Sequence, residues 1–154
     1  MIKFLGLAGN CRMKRLFVIS VLALSLFLGY VFFFVDDQKA LNAFNNGDYE
    51  TALQEWESLA KRGDSSAQYN LGFMFFNGKG VTQDFGIAAK WYKLAADQGN
   101  PNAQTGLGYM YATGRGVVQD FGTAVRWYRL AAEQGFPRAQ YNLGVRYQRG
   151  EGVE

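Results

Sequence analysis

Hydrophobic residues follow two different patterns along the chain. Residues 16–35 form an unbroken run without a charged side chain, whereas later segments place apolar residues at the spacing of amphipathic helices. Within residues 67–102, this spacing predicts one helix over residues 67–76 and a second over residues 85–98. The pattern therefore predicts an all-α protein that is built from paired helices.

Each predicted second helix has recognisable start and stop signals. An aspartate stands at the N-cap, where its carboxylate accepts hydrogen bonds from first-turn amides and complements the helix dipole. A glycine stands at the C′ position, and a proline follows two residues later, where we expect it to stop the helix. These residues are Asp84 and Asp120, Gly99 and Gly135, and Pro101 and Pro137.

The same pattern recurs at a spacing of 36 residues. Residues 67–102 align without a gap to residues 103–138, with more than half of the positions identical, and a partial third copy covers residues 139–154. Residues 36–66 form a degenerate first unit with a leading helix near residues 37–45. In such solenoids, each helical pair buries its apolar face only against its neighbours. The degenerate pair, the two complete pairs and the first helix of the partial copy together predict seven helices after the apolar run.

A pair of glycines separates the two helices of each repeat. In FNGKGVTQDFG (residues 76–86), Gly78 and Gly80 flank Lys79, a composition that is compatible with a phosphate-binding loop. The spacing is wrong for such a loop, because Gly-Lys is not followed by Ser or Thr and no strand pattern precedes it. The loop also recurs as TGRGVVQDFG and RGEGVE. We therefore interpret it as a repeated structural turn.

A further glycine lies inside each first helix, at Gly72, Gly108 and Gly144. Glycine in a helix costs roughly 0.5–1 kcal/mol relative to alanine. Close approach of the second helix would offset this cost. We predict that Tyr92 and Tyr128 of the second helices pack on these glycine-containing turns.

The N-terminal apolar run is long enough to cross a bilayer. As a helix, residues 16–35 would extend about 30 Å, the thickness of the hydrocarbon core. Residues 1–15 are basic and acid-free, whereas Asp36 and Asp37 follow the run, so the positive-inside rule places the later residues outside the cytoplasm. We predict a single-pass anchor in the inner or plasma membrane with a periplasmic repeat domain. The alternative is a cleaved signal peptide and a secreted protein, and Met13 is an alternative start.

Composition removes several classes of function. The chain has no histidine and one cysteine, so the usual zinc sites and internal disulfides cannot form. The net charge of +3 comes from the basic N-terminus, which leaves no basic face with interleaved aromatic residues for nucleic acid. Glu55 and Glu57 are two apart on a helix and point to different faces, so they do not form an acid–base pair. We expect no metal, no cofactor, no nucleic acid and no enzymatic site.

The repeated residues are similar to those of a known family. Ala-x-x-x-Leu-Gly-x-x-(Tyr/Phe), Gly-x-Gly-Val, an aspartate and Ala-x-x-Trp-Tyr-x-x-Ala-Ala-x-x-Gly together resemble the Sel1-like repeat, a relative of the tetratricopeptide repeat with a longer loop. The resemblance covers residues 67–154 strongly and residues 37–66 moderately, and Thr105-Gly106 departs from it. It implies a right-handed α/α superhelix, preceded here by the hydrophobic N-terminal helix, in an exported or membrane-anchored bacterial-type member that binds a protein or peptide.

By analogy with tetratricopeptide repeats, the partner would lie on a concave surface of first-helix positions that are not used for packing. These positions are Tyr69, Asn70, Phe73, Phe76 and Asn77, then Thr105, Tyr109, Ala112 and Thr113, then Tyr141, Asn142, Gln148 and Arg149. An alternative stays open for Phe73, Tyr109 and Tyr141, whose rings would instead pack between adjacent units. We expect Trp91 and Trp127 to be packing residues rather than a ligand cage.

The expected function is a non-enzymatic, membrane-tethered interaction module. One alternative is hydrolysis of cell-wall material, an activity that is linked to some members of the similar family. The sequence argues against it, because it has no histidine and no serine in a nucleophile elbow. A second alternative is a truncated remnant without a function of its own, whose last helix exposes Leu143 and Tyr147.

Overall fold

The computed structural model describes residues 38–152, so the predicted basic segment and membrane anchor, residues 1–35, lie outside the described residues. Seven helices and no strand lie between residues 38 and 152, as predicted. The helices are α1 (38–45), α2 (Tyr49–Lys61), α3 (Ser65–Asn77), α4 (Phe85–Asp97), α5 (Pro101–Thr113), α6 (Phe121–Glu133) and α7 (Pro137–Arg149).

The helices pack in chain order, which confirms the predicted stacking. α3 pairs with α4 and α5 pairs with α6, while α2, α4 and α6 each pack against the first helix of the next pair. Small residues dominate the contacts: Ala88, Ala95 and Ala103 are fully buried, and Leu107 and Met110 fill the space beside them. Buried apolar area contributes roughly 25 cal/mol per Å², so the pairs gain their stability from one another.

The predicted caps of the second helices are confirmed. The Asp84 carboxylate accepts a hydrogen bond from the Ile87 backbone N–H at 2.8 Å, and the Asp120 carboxylate accepts one from that of Thr123 at 3.0 Å. The Thr123 hydroxyl and backbone amide hold the pKa of the Asp120 carboxyl below its usual value. The aspartates therefore fix where α4 and α6 begin.

The second helices end before the prolines, as predicted, and the prolines also have a second role that the sequence analysis did not predict. Pro101 and Pro137 are the first residues of α5 and α7. Proline fits this position because a first-turn N–H has no intrahelical acceptor and the ring already fixes a helical φ. The first helices begin two residues earlier than predicted. α3, which has no proline, starts at Ser65 rather than at residue 67, with Asp64 as its N-cap. Gly99 keeps its predicted role after α4, with a φ of 88°.

Tyr92 and Tyr128 of the second helices each fit against a helical glycine of the first helix, as predicted. Tyr92 lies so close to Gly72 that a Cβ at that glycine would overlap the tyrosine ring. The same ring meets Gly106 of α5, where an added Cβ would lie 3.1 Å from it. Tyr128 repeats the first contact on Gly108, where a Cβ would lie 2.8 Å away. Tyr92 therefore joins three helices, and the ring fills the space that a side chain on the glycines would need.

The second glycine of each loop makes a contact that the sequence did not reveal. Gly80, Gly116 and Gly152 have φ values of 69°, 70° and 69°, which favour glycine. A Cβ at Gly116 would overlap the backbone of Phe85 at the start of α4, and one at Gly80 would overlap Tyr49 at the start of α2. The loop is a turn, as predicted, and it is also a stacking contact with the preceding pair.

An arginine side chain lies over the aromatic ring at the start of α4 and of α6. Arg115, between the glycines of the second loop, lies 5.5 Å from the centre of the Phe85 ring. The third loop has Glu151 in the place of Arg115. There, Arg146 of α7 lies 5.5 Å from the centre of the Phe121 ring and forms an ion pair with Glu151. The cation–π contact thus survives although a different residue supplies the charge.

Buried glutamines form a ladder between successive pairs. Gln104 donates from Nε2 to the Ala96 carbonyl at 3.2 Å and accepts at Oε1 from Gln134 at 2.8 Å. Gln68 makes the equivalent two hydrogen bonds one repeat earlier. Because a buried amide without partners is costly, these hydrogen bonds fix the register of one pair on the next.

The contact of tyrosine with helical glycine predicts opposite effects for the same substitution in two helices. Gly72→Ala forces a Cβ into the Tyr92 ring, so we expect the free energy of unfolding to fall by about 1–3 kcal/mol. At Gly144, no described atom lies within 4 Å of an added Cβ, so Gly144→Ala should raise it by about 0.5–1 kcal/mol. Urea unfolding of the detergent-solubilised full chain, followed by circular dichroism, measures both. Two changes of the same sign would contradict this contact.

The loop contact makes a second prediction. Gly116→Ala and Gly99→Ala both place alanine at positive φ, which costs about 1–2 kcal/mol. Only the first also drives a Cβ into the Phe85 backbone, since no described atom lies within 4 Å of a Cβ at Gly99. We expect Gly116→Ala to be the more destabilising by about 1–3 kcal/mol in the same unfolding experiment. Equal losses would show that the loop does not stabilise the stack.

Candidate functional site

The first helices of the pairs, α3, α5 and α7, form one face of the stack, which we call the first-helix face. A concavity of about 260 Å³ lies on this face. α3 and α5 form its two sides, the start of α7 forms one end, and one residue of α4 reaches in between α3 and α5. The lining residues are Tyr69, Phe73, Phe76, Asn77, Tyr92, Asn102, Thr105, Gly106, Tyr109, Phe136 and Arg138.

The structure brings together about half of the residues predicted to bind a partner. Those in the concavity are Tyr69, Phe73, Phe76, Asn77, Thr105 and Tyr109. The others are not part of its lining, namely Asn70, Ala112, Thr113, Tyr141, Asn142, Gln148 and Arg149. The candidate site is therefore one local concavity of the first and second repeats, closed by the start of the third.

Three of the polar residues that were predicted to bind a partner already form hydrogen bonds within the chain. Asn77 donates from Nδ2 to the Phe73 carbonyl at 2.9 Å. Thr105 is buried, and its hydroxyl donates to the Pro101 carbonyl at 2.7 Å. The Thr113 hydroxyl donates to the Tyr109 carbonyl at 2.8 Å. Thr105 contributes its small size to the concavity rather than a hydrogen bond to a partner, because i−4 carbonyls satisfy such hydroxyls inside helices.

Aromatic rings form the walls of the concavity. Tyr69 stacks on Tyr92 with ring centres 5.7 Å apart, and Phe76 meets Tyr109 edge-on at 6.0 Å. Phe73 also contacts Phe44 of α1 at 6.1 Å, so this ring both packs between units and lines the concavity. Each of these rings contacts another ring, so the contacts restrict the orientations that the walls can adopt.

The third ring of the packing alternative behaves differently. Tyr141 is 73% exposed, so it does not pack between units as Phe73 and Tyr109 do. Trp127 packs against the main core cluster, with the Lys93 ammonium 5.6 Å from its ring centre, and it does not line the concavity. Of the three rings, Phe73 and Tyr109 therefore both pack between units and line the concavity, whereas Tyr141 does neither.

Sequence reasoning missed the residues at the start of the first helices. Phe136 takes the N-cap position of α7 and makes no side-chain cap hydrogen bond, whereas Asp64 and Asn100 cap α3 and α5. A lost cap typically costs about 0.5–2 kcal/mol. Both Phe136 and the nearby Arg138 line the concavity. Their departure from the repeat pattern was the signal that could have identified them.

The electrostatics of the concavity are neutral to positive. Arg138 is the one charged residue among those that line it, and none of them is acidic. Burial raises the pKa of Tyr69 and of Tyr92, while the nearby Arg138 guanidinium acts on both in the opposite direction. Burial likewise raises the pKa of Tyr128 to about 12. The phenols therefore stay protonated at neutral pH and leave the positive charge of Arg138 uncompensated.

Comparison with known proteins identifies the family. The sequence model of the Sel1 repeat matches residues 65–100, 101–136 and 137–154, more than half of the chain. The chain belongs to the Sel1 repeat family. Its family repeats begin at Ser65, Pro101 and Pro137, where the structure begins the first helices. No curated protein matches the chain.

Three solved structures are similar to this chain. A Sel1 repeat protein from Oxalobacter formigenes is 31% identical, with a TM-score of 0.73, over 77% of this chain and 49% of that one. The protective antigen c5321 of uropathogenic Escherichia coli strains, which displays an SLR fold, is 36% identical, with a TM-score of 0.75, over 82% of this chain and 28% of that one. Helicobacter pylori cysteine rich protein B is 26% identical, with a TM-score of 0.58, over 61% and 71%. The chain spans about half the length of the first protein and about a quarter of the second.

The described residues of this Sel1 chain contain neither a group suited to hold a metal ion nor a helix suited to span a membrane. Between residues 38 and 152, no group of His, Cys, Asp and Glu side chains is arranged to hold a metal ion. None of the helices in that range has both the length and the apolarity that a membrane span requires. The predicted anchor, residues 16–35, lies outside the residues searched.

Proposed function

We propose that this chain is a non-enzymatic interaction module that is tethered to the membrane through residues 16–35 and binds a segment of another protein outside the cytoplasm. Sel1 repeat proteins are generally protein-interaction modules and typically non-enzymatic scaffolds. The partner segment binds in the concavity of the first-helix face. The observation that carries this proposal is the concavity itself, an aromatic-walled hollow on the face that the stacked repeats leave open.

The lining chemistry supports binding rather than turnover. Rings, amides and one guanidinium line the concavity, which lacks a carboxylate, a thiol or an imidazole among its described lining residues. Acid–base and nucleophilic catalysis most often uses such groups within hydrogen-bond reach of a substrate. The Thr105 hydroxyl, which also lines the concavity, already donates to the Pro101 carbonyl. Aromatic rings and arginine are, in contrast, the side chains that dominate the energetics of protein interfaces.

The support for the tether comes from the sequence. Residues 16–35 match the thickness of the bilayer core, and the basic residues lie on the cytoplasmic side of the run. An outward-facing repeat stack on such an anchor meets partners at the membrane surface.

The tether predicts how the protein fractionates. We expect the chain to stay in the membrane pellet after an alkaline wash and to be released by detergent, because the apolar run remains uncleaved. Protease added to spheroplasts should degrade the repeats, since they face outward. Mass spectrometry of the purified protein should find residues 16–35 present. A shortened chain in the soluble periplasmic fraction would support the secreted alternative instead.

The binding face predicts the effect of removing its rings. Partners are captured from detergent-solubilised native membranes with the wild-type chain and with Tyr69→Ala/Tyr109→Ala. We expect the variant to lose the partners that the wild type retains, because both rings line the concavity. Tyr141→Ala is the matched control, since Tyr141 is exposed outside the concavity. Circular dichroism checks that all three chains are folded, and equal recovery by all three would refute the proposal.

A further inference from the structure

Three departures from the repeat pattern meet at the concavity. Thr105 and Gly106 stand where the first and third repeats have Tyr-Asn. Phe136 stands where the two earlier first helices have a capping residue, and Arg138 stands where they have a neutral polar one. All four residues line the concavity. Places where a sequence breaks its own local rules are expected to be functional sites.

The exchange of tyrosine for Thr105 makes the space. In the first repeat, Tyr69 occupies the equivalent position and stacks on Tyr92. Thr105 is short, and the Pro101 carbonyl holds its hydroxyl, so nothing from this position fills the hollow. The volume of about 260 Å³ is below the roughly 300–1,000 Å³ of small-molecule sites. It suits one large side chain of a partner, the usual form of an interface anchor.

The charges around the space favour an acidic residue next to the aromatic side chain of the partner. Among the described residues, Arg138 forms no ion pair with a carboxylate. A second guanidinium, that of Arg115, lies 5.5 Å from the ring centre of Tyr109. A guanidinium pairs with a carboxylate through two parallel hydrogen bonds, so the surface is complementary to an acidic segment. Of the two lining amides, Asn77 already donates from Nδ2 to the Phe73 carbonyl, whereas the amide of Asn102 is of the kind that binds the backbone of an extended peptide.

We propose that the concavity binds an acidic, aromatic peptide segment of a partner protein. An aromatic side chain of the segment enters the space beside Thr105 and Gly106, and a neighbouring carboxylate pairs with Arg138. This inference rests on the proposed function, because it names the chemistry of the segment that the first-helix face would bind. Phe136 closes the end of the space and replaces a helix cap with an apolar contact for the incoming ring.

Four synthetic peptides of equal length test the chemistry. The first is Gly-Ser-Asp-Phe-Asp-Ser-Gly, and the others replace both aspartates by asparagine, both aspartates by lysine, or the phenylalanine by alanine. Calorimetric titration of the detergent-solubilised full chain measures each affinity. We expect the Asp-Phe-Asp peptide to bind about tenfold more tightly than the asparagine and alanine peptides, and the lysine peptide to bind most weakly.

Three variants of the chain connect this preference to the structure. Arg138→Gln should abolish the preference for aspartate over asparagine, whereas Arg126→Gln, on α6 and outside the concavity, should preserve it. Thr105→Tyr introduces the residue that the chain carries at Tyr69 and Tyr141. The tyrosine should fill the space and lower the affinity of the chain for all four peptides. Circular dichroism checks that the helicity of each variant is unchanged.

The outcomes separate this inference from the proposed function. Equal affinity for the aspartate and asparagine peptides, an Arg138→Gln chain that keeps the preference, or no binding of any peptide overturns the inference. The proposed function still stands if capture from membranes depends on Tyr69 and Tyr109. If capture does not depend on those rings, both fail.

Discussion

The contact of a tyrosine ring with a helical glycine is the interaction on which this stack of short helices depends. Each of the helices α2 to α7 has 13 residues, a length that is marginal for an isolated helix in water. Tyr92 lies against Gly72 of its own pair and against Gly106 of the next one. One ring therefore closes a helical pair and joins it to its neighbour. The two helices that Tyr92 contacts, α3 and α5, are also the two sides of the concavity on the first-helix face.

Much of the fold was predictable because the signals are local or repeated. The period, the aspartate caps and the helical glycines each appear at fixed spacing, so every copy reports the same structure. The role of Gly116 was not predictable, because the residue that it contacts, Phe85, belongs to the preceding pair. The second role of Pro101, as the first residue of α5, was missed for a different reason. A proline shortly after a helix and a proline at the first position of the next one give the same sequence signal when the connection is short.

The candidate site was predictable only in part, because the analogy behind it treats all repeats as equivalent. It found Tyr69 and Tyr109, which lie at repeated positions of the first helices. It missed Phe136 and Arg138, which matter because the third repeat differs there from the others. Residues that the repeats share maintain the stack, whereas Phe136 and Arg138, in which the third repeat differs, shape the concavity. Comparison of the copies within one chain is therefore a source of information about binding.

The ion pair of Arg146 with Glu151 has a consequence for judging how far a repeat has diverged. At position 151 the third copy has reversed the sign of the charge found at Arg115, which position-by-position scoring counts as a loss. In space, the ring of Phe121 still has a guanidinium over it, now supplied from one turn of helix away and oriented by the new acid. Degenerate copies can thus preserve an interaction while exchanging its donors, and alignment alone overstates the decay of such units.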